Sequence, residues 1–599
     1  MKKTALILAL MLAASSARAQ KLDDFSYADS AALQKAWVAQ GDSKKPLASI
    51  GGDMVRAGRM TCDFSAIKDW RVYWDRDLKV DLSQSEQITV KLRCPDPTAV
   101  GFVALYFLSG KGWYHMPPFS VGTAWETKVL TLASATTEGK PLGWDKVERV
   151  RLAFMPGAKR DTYVEVADIS ARSGWPLSHI GAMGGYTDLA SAQKGLSILA
   201  KGKPVAREVA ASLKAASILA KEAYREKDKS KGQALILKGR EKVAQAYALV
   251  QEPKLGEFRG VWIHHGDGPS GVTDARAQTW KEAIPALKAA GFNAILPNVL
   301  WSGVAFYPSK VVPVFEGVQR EGDYLAEIIA LAHPLGMKVH AWKVMWQFAE
   351  GWIAPKGVSE PFRKAGRLQM DFNGKEQPWL CPSRPENREY EKKAITELLT
   401  HYDVDGIHLD YIRYGGTQVC YCGVCRKKFE KQAGKVKDWP KDVGPGGARY
   451  EAYADFKREN ITSMVREIHA LVKKIKPSAE LSAAVFSYPA LARDSVSQDW
   501  GVWAKEGLLD WVATMTYTQD AAGFRDAVAA QKLLCDGKIR LYPGIQVTYD
   551  DGQTLALESF VDQVKSVREQ GLGGYVLFEW RKSYQDRMSP FVSRGLQSK

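Results

Sequence analysis

The chain has 599 residues and a formal charge of +16 at pH 7, with 46% hydrophobic and 25% charged residues. That length exceeds what one hydrophobic core serves, so several domains are expected, and the balance of apolar and charged residues excludes a disordered or fibrous chain. The cation surplus favours a polyanionic partner.

Residues 1–19, MKKTALILALMLAASSARA, join Lys2 and Lys3 to an apolar run with a small-x-small ending at Ala17 and Ala19. The run is too short to cross a bilayer, which takes roughly 18 apolar residues or more, so the pattern is that of a secretory signal peptide. No later segment reaches that length either. The expectation is therefore a periplasmic or secreted protein, without a transmembrane segment, that folds in an oxidising compartment. Without the three cations Lys2, Lys3 and Arg18 the charge is +13. In an exported protein that surplus suits an acidic polysaccharide or an anionic envelope, and no nucleic-acid partner is expected.

From 20 to 175 short alternating runs such as QITVKLR, AVGFVALYFLSG and ERVRLAFM recur between Gly, Pro and Asp. This spacing predicts an antiparallel β-sandwich, and as a whole the region resembles the carbohydrate-binding modules appended to exported glycosidases. Trp70, Tyr73, Trp74, Trp113 and Tyr114 suit sugar stacking or the sandwich core. Residues 187–252 turn to Ala, Leu and Lys at helical spacing and predict a helical connector that Pro253 closes. From 256 to 599 strand and helix signals alternate. The strands are RGVWIHH, NAILPNVLW, KVHAWKVMW, DGIHLDYIR, ELSAAVFS, WVATMTY, RLYPGIQVT and GYVLFEW. Eight strands with intervening helices predict a C-terminal (β/α)8 TIM barrel. Ser383 and Glu386 suggest a capping box opening the third barrel helix.

The fourth strand, GIHLD, carries unusual charge. Ile407 and Leu409 alternate with His408 and Asp410, so if the first pair faces the helices the second faces the barrel axis. Asp410 then stands at the C-terminal end of its strand, where barrel enzymes assemble their chemistry. A buried carboxylate is costly unless paired or used; a salt bridge to Arg413 is the structural alternative. Other strand ends contribute Glu579 and Trp580, His340, Trp342 and Trp346, Asn298 and Trp301, Tyr517, and His264 and His265. Carboxylates beside aromatic rings suit pyranose chemistry. Asp410 is the candidate acid, oriented by His408, and Glu579 the second carboxylate. Retaining, inverting and substrate-assisted routes all stay open.

The stretches FRGVWI, FNAI, GMKVHAW, WLCPSRPENREY and YDVDGIHLDYIRY resemble the glycosyl-hydrolase-10-like barrel family, formerly a domain of unknown function found in exported bacterial proteins. The resemblance covers roughly 256–595. It implies a (β/α)8 glycoside hydrolase, with members acting on peptide-free peptidoglycan strands and relatives on amino-sugar exopolysaccharides, and it gives Asp410 the catalytic place. The chain departs from the family's pattern at Asn298-Val299-Leu300, at Gly303-Val304-Ala305 and at Gly415.

There are seven cysteines. Cys420, Cys422 and Cys425 follow Asp410, and Cys381 precedes the third barrel helix. Together they fit a structural zinc site or two disulfides; no cofactor is required for the reaction. Cys62 and Cys94 are candidates to pair across strands. Two rival functions are a glycan-binding protein without activity and a metal-dependent polysaccharide deacetylase. A Gly-x-Ser-x-Gly elbow and a Walker motif are both missing, which counts against esterase and nucleotide hydrolase readings.

Overall fold

The computed structural model describes residues 19–597 apart from 51–54, 68–69, 84, 173, 176, 265–278, 352–353, 536 and 549–553. The expected signal peptide, save Ala19, and His265 lie outside the described residues. The chain divides into two units, Met1–Val250 and Gln251–Lys599. Among the described residues no helix is long and apolar enough to cross a membrane.

The first unit holds eleven strands: β1 (Ala19–Asp23), β2 (Val38–Gln40), β3 (Leu47–Ile50), β4 (Arg56–Cys62), β5 (Val72–Val80), β6 (Gln87–Arg93), β7 (Val100–His115), β8 (Glu126–Thr131), β9 (Thr136–Pro141), β10 (Val147–Pro156) and β11 (Thr162–Arg172). They form two antiparallel sheets, ordered β3-β4-β11-β6-β8 with β1 also on β11, and β2-β5-β10-β7-β9. Alternation sends Ile88, Val90 and Leu92 of one sheet and Trp74, Leu105, Leu152 and Phe154 of the other into a shared core. Trp74 is thus a core residue, and Tyr73 beside it takes the opposite face. Cys62 and Cys94 do not pair. They are separate buried thiols, because β11 lies between the strands that carry them. Three helices follow, Leu189–Ala200, Ala206–Arg225 and Lys229–Leu249. The first opens on a capping box between Asp188 and Ser191.

In the second unit the parallel strands are β12 (Phe258–Ile263), β13 (Ala294–Trp301), β15 (Lys338–Val344), β18 (Gly406–Asp410), β19 (Glu480–Phe486), β20 (Trp511–Met515), the split pair β21 (Arg540–Leu541) and β22 (Gly544–Gln546), and β23 (Gly574–Phe578). A short β14 (Val304–Ala305) folds back on β13, and β16 (Leu368–Met370) and β17 (Glu376–Leu380) form a hairpin after β15. Strand β12 pairs with β13 on one side and β23 on the other, through Gly260↔Ala294 and Phe258↔Gly574, and so closes the barrel. The seventh strand was expected as one run. Pro543 interrupts it, since proline has no N–H to give to a ladder.

Helices such as Tyr324–Ala332, Pro385–His401, Tyr450–Ile475 and Leu557–Glu569 return the chain between strands. The expected Ser383/Glu386 capping box is not formed. Arg384 is the N-cap and Pro385 takes the first helical position, where its missing N–H costs nothing. Ser383 faces Cys425 and Asn460 instead.

Bulky rings fill the barrel up to the level of Asp410: Trp262, Trp511 and Tyr542, with Phe258 packed against them, and Trp342, whose indole reaches Asp410. The glycine that opens β18 answers to this packing. A Cβ on Gly406 would lie 2.4 Å from His340 Nδ1 and 2.5 Å from the Glu480 carbonyl oxygen.

Candidate active site

The charged fourth strand divides its groups by level. At the foot Asp405 Oδ2 accepts the Val339 N–H at 2.7 Å and lies 3.0 Å from His333 Nε2, which ties β18 to β15. One inward position higher, His408 accepts the Trp262 indole N–H on Nε2 at 3.1 Å, while Nδ1 lies 2.9 Å from Ser482 Oγ. An imidazole that accepts on one nitrogen keeps its proton on the other, and burial pushes its pKa well below the usual value. His408 is therefore a neutral strut stacked on Trp511, and it does not orient Asp410 as expected.

Asp410 stands one further inward position up, 6% exposed. Its Oδ2 accepts the Trp342 indole N–H at 3.1 Å and its Oδ1 the Tyr411 backbone N–H at 2.7 Å. Tyr411 has φ +53°, a left-handed conformation that a bulky residue rarely adopts and that recurs at functional sites. Burial raises the Asp410 pKa, against the opposing pull of Tyr411 N–H, Arg413, Trp342 and His264.

Glu579, directly after β23, is buried to the same degree but differently surrounded. Its Oε1 accepts two N–H groups of Arg581 at 2.8 and 2.6 Å, and its Oε2 lies 2.5 Å from His264 Nδ1. Burial alone would raise its pKa; His264 and Arg581 outweigh it and hold the carboxyl below the usual glutamate value. Tyr517 stacks on Phe578 at 5.2 Å. Its phenol is pushed far above its usual pKa by burial and by the charges of Asp410 and Glu579. His264 joins the same mouth with ring contacts to Trp301 at 4.7 Å and Trp342 at 4.6 Å. Asn298 lies beside Trp342 in register, buried with neither amide atom hydrogen-bonded.

Four expected site residues fall elsewhere or act otherwise. His340 is buried at the foot against Phe258 and Trp511, and burial pushes its pKa down to about 4. It sits two inward positions below the mouth. Trp346 is fully buried and has no face to offer a sugar; its backbone N–H donates to Glu391 Oε1 at 3.0 Å. Trp580 points outward, one residue past the inward Glu579, and packs on Phe292 and Tyr584. Arg413 makes no salt bridge to Asp410 among the described residues. Its guanidinium lies 4.4 Å over Tyr411, 5.4 Å over Trp379 and 4.9 Å over Phe486.

Sequence reasoning missed two partners. Arg581 stands two residues after Glu579 and could have been read from that adjacency. Trp379, from β17, is buried and stacks face to face on Tyr411 at 5.5 Å and 6°, which holds the residue after Asp410 in place. Its only sequence signal was its place in WLCPSRPENREY. The four cysteines do converge: the Sγ atoms of Cys381, Cys420, Cys422 and Cys425 all lie within 4.8 Å of one another, and all four residues are buried.

Residues 257–549 match the model of the family described as Glycosyl hydrolase-like 10. Glycosyl hydrolase YngK of Bacillus subtilis (strain 168) is 25% identical over 317 residues, 47% of this chain and 57% of that protein. Glycosyl hydrolase DigH of Escherichia coli (strain K12) is 23% identical over 278 residues, 42% of this chain and 60% of that protein. The chain thus spans less than two thirds of the length of either relative. Among solved structures, the PgaB (BpsB) glycoside hydrolase domain from Bordetella bronchiseptica aligns at 13% identity with a TM-score of 0.43, covering 55% of this chain and 99% of that one.

Proposed function

We propose, from a barrel whose residues 257–549 match the glycosyl hydrolase-like 10 family model, that the protein is an exported glycoside hydrolase cleaving an amino-sugar polysaccharide of the cell wall or envelope. The observation that carries this reading is a pair of buried carboxyls at the C-terminal ends of β18 and β23, Asp410 held by the Trp342 indole and the Tyr411 N–H, Glu579 by Arg581 and His264, surroundings that push the first pKa up and the second down. Glycosidic cleavage needs one carboxyl that keeps a proton to give and one that stays ionised.

Asp410 donates its proton to the leaving glycosidic oxygen as the bond to the anomeric carbon breaks. Trp342 and the Tyr411 N–H hold the carboxyl in place and take the charge it is left with. Glu579 stays ionised and faces the positive charge that grows on the sugar ring. Water supplies hydroxide to the anomeric carbon, and its remaining proton restores Asp410. The half-buried Trp301 ring beside His264 is of the kind on which a sugar face packs. The unpaired amide of Asn298 is a hydrogen-bonding group in want of a partner such as a sugar hydroxyl or acetamide.

The first unit supports a second glycan contact. Around the outward Tyr73 of its second sheet, Arg71 lies over Trp70, Tyr73 and Tyr106, and Arg151 over Tyr73 and Trp113. A sandwich carrying cations and rings together suits an acidic sugar polymer.

The test is release of reducing ends from peptide-free peptidoglycan strands by the purified protein, with the Asp410→Asn protein alongside. Cleavage by the wild type and none by Asp410→Asn is expected. Full activity in Asp410→Asn would remove the assignment, and binding without cleavage by the wild type would turn the reading to a glycan-binding barrel.

A further inference from the structure

We propose that Cys381, Cys420, Cys422 and Cys425 bind one Zn²⁺ that takes no part in the reaction and ties β17, which carries Trp379, to the segment that follows Tyr411. The sulfur geometry comes first. Cys381 Sγ lies 3.7 Å from Cys422 Sγ and 3.5 Å from Cys425 Sγ. A disulfide requires about 2.05 Å, whereas sulfurs about 2.3 Å from a tetrahedral zinc stand roughly 3.8 Å apart. Four mutually close thiols fit one metal ion and not two covalent pairs.

The surroundings are those of a metal thiolate. The Met370 N–H points at Cys420 Sγ from 3.2 Å, and the Ser383 hydroxyl lies 3.2 Å from Cys425 Sγ. Cys422 is the N-cap of the helix Gly423–Ala433, and Cys425 lies in its first turn, where the helix dipole favours negative sulfur.

Charge gives an independent argument. Lys457 is 5% exposed, and its ammonium donates to the Thr417 and Val419 carbonyls, with no carboxylate among these partners. A buried cation without a counter-charge is costly. Its ammonium also lies 5.7–5.9 Å over the rings of Tyr453, Tyr414 and Tyr421, and Val419, whose carbonyl it takes, precedes Cys420. Zn²⁺ binding releases four protons and leaves a cluster of net charge −2 beside this cation. No electron is transferred in that step.

All four coordination positions come from the protein, so no place is left for water or substrate, as in structural zinc sites. The ion would clamp Cys381, directly after β17, to the loop that follows Tyr411. Trp379, two residues before Cys381, would thereby be kept stacked on Tyr411.

The test is metal analysis of the purified full-length protein by inductively coupled plasma mass spectrometry, with alkylation of its cysteines under denaturing conditions. About one zinc per chain is expected, with all four cysteines alkylated without reductant once a chelator is present. Zinc far below one per chain would overturn the proposal, whether the cysteines then prove to be disulfides that need reductant or plain thiols that do not. Cys422→Ser should lose the metal and melt lower, while Cys535→Ser keeps it. If Cys422→Ser fails to fold, the wild-type stoichiometry still decides. Asp410→Asn should carry the full complement of zinc, which separates the failure of this site from the failure of the catalytic assignment.

Discussion

At the foot of the barrel His340 and His408 are buried among Phe258, Trp262 and Trp511; at the mouth Asp410 and Glu579 are buried almost as deeply among Trp342, His264 and Arg581. Depth is nearly equal, but the consequences differ. At the foot desolvation wins outright and both imidazoles stay neutral. At the mouth a charge partner is placed beside one acid and withheld from direct contact with the other, so two like groups separate. A barrel can bury polar side chains anywhere along its axis; proton exchange with a substrate needs the tuned pair at the open end.

The largest effect that would break this contrast is at Asp410. Asp410→Asn should lower kcat about 10²–10⁴-fold, the usual worth of a general acid. Its folded pKa lies above the ordinary 3.8, so the stability linked to this carboxyl is present below that value and lost as pH rises through the folded one. At pH 7 the amide should therefore melt no lower than the wild type. A variant that is both inactive and less stable would make Asp410 a structural group.

Glu579→Gln should behave oppositely in stability. Removing the ionised partner leaves Arg581 and His264 uncompensated and should cost roughly 3 kcal/mol at pH 7, along with activity. The folded pKa lies below 4.5, so the wild-type advantage is present above that value and should close as pH falls through the depressed one. Thermal melts of both proteins across acid pH check this sign.

The same tuning sets the pH profile of kcat/KM. The acid limb should follow Glu579, below the usual glutamate value, and the alkaline limb Asp410, above the usual aspartate value. Limbs that both fall on ordinary carboxyl values would sink the division of labour. The smallest effect belongs to the foot. His408→Gln should cost about 1–2 kcal/mol for its two hydrogen bonds and leave the shape of that pH profile unchanged.

The barrel was legible because eight short apolar runs alternate with amphipathic helical stretches along the second half of the chain. Asp410 was legible because GIHLD fixes which face it takes. Alternation gives the face of a strand and not the height along it, which is why His340 and His408 were drawn to the mouth with Asp410. It also stops where the strand stops. Trp580, one step past Glu579, turns outward to Phe292. Trp379 was illegible from pattern because it arrives on the short β16–β17 hairpin inserted after β15, outside the strand and helix repeat of the barrel.

The rings that fill the barrel up to the level of Asp410 carry one more consequence. The barrel is a cup and not a pipe. A sugar chain that reaches Asp410 must leave through the opening by which it came, so product and the next substrate contend for one doorway. Product should therefore inhibit competitively, and the rate at which it clears can cap turnover however fast the bond breaks.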